Sequence, residues 1–155
     1  MADLPPTVAR FLSGERLAVA GVSREGDIPA NLIFRRLRDE GHEVVPLNPH
    51  AETVEGVACY PDLGAVPGPV TGVMVATPPD ASVEVARDCV AHHVRDVWFH
   101  RSFGEGSVSD EAIRTCRLGG IEPIVGGCPL MFVGKVDMAH ACMRWWLQRR
   151  GRVPR

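Results

Sequence analysis

The segment Gly21–Arg24 contains residue types that bind a phosphate. It follows a short apolar run, residues 16–22, and precedes a segment with helical spacing that begins at Pro29. Ser23 can donate its hydroxyl, and Arg24 can form paired hydrogen bonds to a phosphate. The free N–H groups and the dipole at the start of the helix also favour an anion there. Because every parallel βα turn ends at a helix N-terminus, the prediction of a phosphate site depends on Ser23 and Arg24.

A second candidate follows the next strand, where the sequence reads Leu-Asn-Pro-His from residue 47 to residue 50. Dinucleotide enzymes carry a G-x-G-x-x-G turn and an acidic residue that binds the adenosine ribose, and neither is present at these positions. Asn48 can hydrogen-bond a ribose or an adenine, and His50 can face a 3′-phosphate. The pair Asn48-Pro49 is equally typical of an ordinary turn. These residues argue against NAD and leave room for a nucleotide phosphorylated on its ribose.

The segment Ala76-Thr77-Pro78 follows a third apolar run. Pro78 and Pro79 form a stiff apolar shelf that suits an adenine ring or a pantetheine arm, and Thr77 can donate to a pyrophosphate. The same residues suit a rigid helix start. Residue types alone leave both interpretations open.

Two further side chains are candidates for catalysis. His100 can act as a base or contact a phosphate, although a histidine at a strand end is more often half-buried with its hydrogen bonds satisfied. Cys128, in Gly-Gly-Cys-Pro, can attack a thioester if its pKa is lowered. No base can be assigned to it from the sequence, and free cysteines are mostly packing residues, so the structural role is favoured.

Composition excludes several classes of protein. The 155 residues carry a formal net charge of -2, and only residues 149–155 are clearly basic, which predicts a solvated terminus rather than a nucleic-acid arm. The apolar runs are shorter than the ~20 residues that a membrane span requires, and the N-terminus lacks the pattern of a signal peptide. The 5 cysteines form no C-x-x-C pair, which argues against a disulfide framework or a metal site. We expect a cytoplasmic protein that binds neither nucleic acid nor membrane.

The order of the elements predicts how the candidate residues come together. Short apolar runs alternate with segments of helical spacing, which is typical of a parallel sheet. We predict one α/β domain over residues 1–155, with a core at about 10–140. Its fold is Rossmann-like and doubly wound, with a mostly parallel five-stranded sheet and helices on both faces. In such sheets ligands bind at the carboxyl ends of the strands, where the candidate loops lie.

Two other segments carry specific expectations. Residues 57–69 are predicted to be an irregular connector with one helical turn after Pro61. A C-terminal helix at about 134–148 is expected to dock through one apolar face: Met138, Ala141, Cys142 and Trp145. Because adjacent Trp145 and Trp146 cannot both face one core, one of them is expected to contact a second copy or a larger protein partner.

Several stretches, taken in order, resemble a known family. They are residues 17–49, Cys-Tyr-Pro-Asp-Leu at 59–63 and Gly-Gly-Cys-Pro at 126–129. Together they resemble the small CoA-binding proteins, which are similar to the CoA-binding domain of the succinyl-CoA synthetase alpha subunit. The resemblance covers about residues 10–140, and its strongest pieces are Gly-Val-Ser-Arg and Val-Pro-Leu-Asn-Pro.

The resemblance implies that coenzyme A contacts three turns. The first receives the CoA phosphates through Gly21, Val22, Ser23 and Arg24. The second meets the 3′-phosphate end of the adenosine through Asn48, Pro49 and His50, although the synthetase domain has a lysine near the position of His50. The third lies along the ligand and consists of Ala76, Thr77 and Pro78. The synthetase also needs a phosphohistidine on a second domain and a nucleotide-binding partner subunit, so the resemblance implies CoA binding rather than a complete ligase.

The sequence therefore predicts a protein that binds coenzyme A or an acyl-CoA. One alternative is an enzyme that processes a thioester or thiol with Cys128 or His100. Another is an NAD(P)-binding regulatory module, which the missing fingerprint disfavours. The last is a Rossmann-like partner module without a small ligand.

Overall fold

The computed structural model describes residues 4–154 and contains a five-stranded parallel sheet between two layers of helices. The strands are β1 (Leu17–Ala20), β2 (Val44–Leu47), β3 (Thr53–Val54), β4 (Val57–Ala58), β5 (Gly72–Val75), β6 (Asp96–Phe99) and β7 (Ile124–Val125). The helices are α1 (Pro6–Leu12), α2 (Pro29–Asp39), α3 (Pro79–Ala91), α4 (Asp110–Leu118) and α5 (Met138–Arg149). The predicted α/β fold is confirmed.

The sheet has the strand order β2-β1-β5-β6-β7, and its strands are paired in parallel. Every residue of β1, β5 and β6 is buried, which explains why β1 and β5 appear in the sequence as unbroken apolar runs. Pro46 is tolerated because β2 lies at the edge of this sheet. The order of the strands reverses between β1 and β5, so the loops after these two strands diverge and leave a crevice.

Neighbouring residues of β6 show how the two cores are divided. Trp98 packs in a cluster with α1, α2 and α5, whereas Phe99 packs in a cluster with α3 and α4. Successive side chains of a strand point to opposite faces, so both faces of the sheet are covered. The first three helices begin with a proline, which is suited to the first helical position. Ser109 and Asp137 cap the last two through their side chains.

The connector between β2 and β5 contains more structure than the sequence predicted. The single helical turn is confirmed at Leu63–Ala65. It is preceded by an antiparallel hairpin of β3 and β4, whose turn residues Glu55 and Gly56 have φ values of 50° and 76°. Two-residue strands are too short to show an alternating pattern, which is why the hairpin was not predicted.

The predicted buried face of the C-terminal helix is wrong, and so is its first residue. Asp137 accepts a hydrogen bond from the His140 N–H at 2.9 Å, so α5 begins at Met138 rather than near residue 134. The residues expected to dock are exposed: Met138, Ala141, Cys142 and Trp145. Leu147 is buried instead, and Met143 packs beside it.

Arg144 explains the change of face. Its guanidinium donates to the Met131 carbonyl at 3.2 Å and lies 5.5 Å from the centre of the Phe132 ring. α5 therefore docks partly through Arg144, a long charged side chain that the sequence pattern placed on the solvent-facing side of the helix. Trp145 and Trp146 are 56% and 38% exposed, so neither fills the core. A contact with a second copy through either of them stays a prediction.

Of the helices within residues 4–154, none combines the length and the apolar character that crossing a bilayer requires.

Candidate ligand-binding site

The turn after β1 is built around Gly21. This residue has a φ of 104°, and its N–H donates to the Leu47 carbonyl at 3.0 Å. A Cβ on Gly21 would lie 2.6 Å from the carbonyl oxygen of Ala76. The ends of β1, β2 and β5 therefore meet at one residue, and only glycine fits there.

Asn31, a residue that the sequence analysis did not select, holds the same turn. The buried Asn31 side chain accepts from the Ser23 N–H at 2.9 Å and donates to the Ser23 carbonyl at 2.7 Å. Its Nδ2 also donates to the Glu55 carboxylate at 2.7 Å. The β3–β4 hairpin thus supports the phosphate-type turn through Asn31. A polar residue inside the apolar face of α2 was the signal that could have identified it.

Ser23 and Arg24 remain able to meet a ligand. The Ser23 hydroxyl accepts from the Glu25 N–H at 3.2 Å, which leaves the hydroxyl hydrogen free to donate. Arg24 is exposed. Both α2 and α3 begin at this edge with a proline, and among the described residues no side chain caps either helix. Free N–H groups at the start of a helix favour an anion.

Asn48 has a structural role besides the predicted one, and its contact with a ligand stays a prediction. Its Nδ2 donates to the Val22 carbonyl at 2.8 Å, and its Oδ1 accepts from the His50 N–H at 2.8 Å. The amide therefore ties the loop after β2 to the turn after β1, with one hydrogen and one lone pair left over. Since the side chain of Val22 is buried, this residue acts through its backbone.

A cleft of about 290 Å³ opens where these loops meet. Predicted residues that line it are Gly21, Asn48, Pro49, His50, Thr77 and Pro78. The lining does not include four predicted residues: Val22, Ser23, Arg24 and Ala76. Residues that sequence reasoning missed complete the wall: Ala20, Leu47, Pro61, Asp62, Ala81, Val85 and Asp88. The spacing of the last three missed residues, all on α3, is that of one helix face, which was a usable signal.

Thr77 lies where it can serve both roles left open for its segment, contact with a ligand and formation of a helix start. Its hydroxyl lies 2.9 Å from that of Ser82, which in turn donates to the Pro78 carbonyl at 3.1 Å. The threonine thus helps to form the start of α3 while it also lines the cleft.

His100 and Cys128 lie outside the cleft. Ser102 stands beside both: its Oγ is 3.4 Å from the His100 Nε2, and it hydrogen-bonds the Cys128 thiol. Burial lowers the pKa of His100 to about 4, and burial raises the pKa of Cys128 to about 11. At neutral pH the imidazole is therefore uncharged and the thiol protonated, which is the state of a packing cysteine rather than of an activated nucleophile.

Comparison with known proteins identifies a family that the chain matches. Residues 15–133 match the family described as a CoA binding domain. The chain is 25% identical over 127 residues to the uncharacterised protein YneT of Bacillus subtilis, an alignment that covers 82% of this chain and 86% of that one.

Solved structures agree in fold. A hypothetical protein from Pyrococcus horikoshii superimposes with a TM-score of 0.72 at 22% identity, over 83% of this chain and 92% of that one. The dinucleotide forming acetyl-coenzyme A synthetase 1 of Ca. Korarchaeum cryptofilum, in complex with phosphate and ADP, gives a TM-score of 0.67 at 26% identity. There the match covers 77% of this chain but only 27% of the synthetase.

Proposed function

Because this chain belongs to the CoA binding domain family, we propose that it binds coenzyme A or an acyl-CoA in the cleft beside Gly21. The observation that carries the proposal is the convergence of three turns on one cleft. Residues after β1, β2 and β5 line it together. This is the place where doubly wound sheets bind nucleotides.

The phosphates belong at the turn after β1. Ser23 supplies a hydroxyl donor and Arg24 a guanidinium, and the uncapped start of α2 adds backbone N–H groups. Asn31 holds the Ser23 backbone on both sides, so the turn is already ordered before a ligand arrives. An ordered site loses less entropy on binding than a mobile one.

The adenosine end belongs in the cleft itself. Pro49, Pro61 and Pro78 supply rigid apolar walls, and His50 lies at the exposed part of the same lining. His50 is then placed to meet the 3′-phosphate. The pantetheine arm runs from the phosphates past Thr77, along the carboxyl edge of the sheet toward β6.

Binding is a better supported function than thioester chemistry. Cys128 is only 2% exposed and its burial keeps the thiol protonated. No observation on Cys128 favours a covalent step, so the function supported by the site is capture of the ligand.

Isothermal titration calorimetry with coenzyme A, acetyl-CoA, NAD, NADP and FAD tests the proposal. We expect coenzyme A and acetyl-CoA to bind and the dinucleotides to bind more weakly. Binding of a dinucleotide with no binding of coenzyme A at millimolar concentration would contradict it. A 260 nm absorbance excess in the purified protein would indicate a nucleotide carried through purification.

A further inference from the structure

Two carboxylates stand in the otherwise mainly apolar wall of the cleft. α3 presents Ala81, Val85 and Asp88 to it, residues four and three positions apart on one helix face. At 1.5 Å per residue, Asp88 lies about 10 Å along α3 from Ala81, away from the carboxyl edge. Asp62, from the connector, lines the cleft as well.

The two carboxylates lie at the same end of the cleft. Asp88 accepts a hydrogen bond from the Leu63 N–H at 2.8 Å, and Leu63 is the residue next to Asp62. The other oxygen of Asp88 is 3.0 Å from the His92 Nδ1. Asp62 accepts from the Ala65 N–H at 2.9 Å. These bonds fix both side chains and leave each carboxylate with further lone pairs for a ligand.

The charge of this end determines what it can hold. Two carboxylates repel a phosphate, so the phosphates of a nucleotide must lie away from this end: the 5′-phosphates beside Ser23 and Arg24, and the 3′-phosphate beside His50. The apolar surfaces of Leu47, Pro61 and Val85 suit a flat ring. In the free protein Asp62 is exposed and Asp88 is partly buried, so water reaches both carboxylates. A ring seated against them displaces that water and must then offer a hydrogen-bond donor, because a desolvated charge or a facing acceptor is unfavourable.

We propose that Asp62 and Asp88 bind the exocyclic amino group of an adenine ring, so that the cleft selects an aminopurine nucleotide. The inference rests on the proposed function, since it describes the base of the same ligand. It assigns the two carboxylates a role in base specificity, while affinity for the phosphates is left to the turn after β1.

The test compares two probes that differ only in the amino group. Adenosine 3′,5′-bisphosphate carries it, and purine riboside 3′,5′-bisphosphate has hydrogen in its place. Titration of the intact chain is expected to show about tenfold weaker binding of the second probe, the loss typical of one charge-assisted hydrogen bond.

The variants Asp62→Asn and Asp88→Asn sharpen the test. Each asparagine can keep its oxygen on the backbone N–H that the aspartate already accepts, and it then turns an NH₂ group toward the ring. We expect the ratio of the two affinities to fall to about twofold or less in the double variant. Asp80→Asn, which removes the same charge from the first turn of α3 outside the cleft, should keep the wild-type ratio.

The ratio is measured within one protein, so a general loss of stability in a variant does not imitate the effect. Equal binding of the two probes to the wild type overturns the inference, as does an unchanged ratio in the double variant. If coenzyme A binds and the bisphosphate does not, the inference alone fails. If neither binds, the proposed function fails with it.

Discussion

Gly21 approaches Ala76 so closely that a Cβ on Gly21 would lie 2.6 Å from the Ala76 carbonyl oxygen. The loops after β1 and β5 leave the sheet toward opposite faces, and this contact is where they meet. The glycine therefore allows the backbones of the two loops to approach closely, and its φ of 104° adds a second reason for the absence of a side chain.

Replacing Gly21 by alanine should lower the free energy of unfolding by more than the cost of placing alanine at a positive φ, because the added Cβ also meets the Ala76 carbonyl oxygen. The control is Gly41→Ala, where φ is 88° and nothing lies within 4 Å of the added Cβ. We expect about 1–2 kcal/mol of lost stability in the control and at least about 1 kcal/mol more in Gly21→Ala. Urea denaturation measures both. Equal losses would show that the contact with Ala76 relaxes without cost.

Ser23→Ala and Arg24→Ala should weaken the binding of coenzyme A. Each change removes a donor from the phosphate turn, and a hydrogen bond to a charged group contributes about 1.5–3 kcal/mol. Because Arg24 is exposed, we expect its effect to be smaller and to decline with added salt. Calorimetry measures the affinities. Arg114→Ala, which removes an exposed charge from α4, should leave them unchanged, and unchanged affinity in the Ser23 and Arg24 variants would place the phosphates elsewhere.

Asn48→Asp should lower stability without creating an NAD site. The new carboxylate would face the Val22 carbonyl, which now accepts a hydrogen bond from the Asn48 amide at 2.8 Å. Loss of that bond and repulsion between two acceptors should cost about 1–3 kcal/mol. Thermal unfolding and NAD titration measure the two results. His50→Ala, which keeps the backbone bond to Asn48, serves as the stability control, and a gain of NAD binding would show that residue 48 is free to face a ribose.

His100 should make stability depend on pH between about 6.5 and 4. Burial lowers the pKa of folded His100 to about 4, from an ordinary value of 6.5, so the unfolded chain binds its proton first as pH falls. Stability from the neutral histidine is therefore present above pH 6.5 and is lost as pH falls toward 4, by up to roughly 3 kcal/mol.

Denaturation of the wild type and His100→Gln at pH 7.5 and pH 4.5 checks this sign. The wild type should lose more stability on acidification than the variant does. His50→Gln, the same substitution at an exposed site, controls for the general effect of exchanging histidine for glutamine. Parallel curves for wild type and His100→Gln would contradict the assignment.

Thiol labelling should distinguish Cys142 from Cys128. Cys142 is exposed, whereas Cys128 is buried and its pKa is raised to about 11 by that burial. An aromatic disulfide reagent at pH 7.5 should react with about one thiol quickly, and Cys142→Ser should abolish the fast phase. Cys128→Ser should retain the affinity for coenzyme A. A fast phase that persists in Cys142→Ser and disappears in Cys128→Ser would revive the nucleophile hypothesis.

The incorrect prediction of the buried face of α5 has a physical cause. In α5, Met138 and Trp145 had the spacing of a buried face, but the stem of Arg144 and the side chain of Leu147 are what pack on the core. An amphipathic pattern with two apolar stripes cannot say which stripe meets the sheet. That choice depends on the surface offered by Met131 and Phe132, which come from another part of the chain.

The sequence by itself determined the alternation of buried strands and helices and the loops that meet at the carboxyl edge. These features are readable because they depend on local properties of the chain. Unbroken apolar runs indicate buried strands, prolines mark the starts of helices, and Gly21 permits the backbone conformation of the first turn. Only the tertiary structure decided that Asn48 supports the first turn and that Asp88 lines the cleft. Both roles depend on partners distant in sequence, Val22 for one and the 61–63 connector for the other. Spacing within α3 places Asp88 on one helix face with Ala81 and Val85, but it does not show what that face meets.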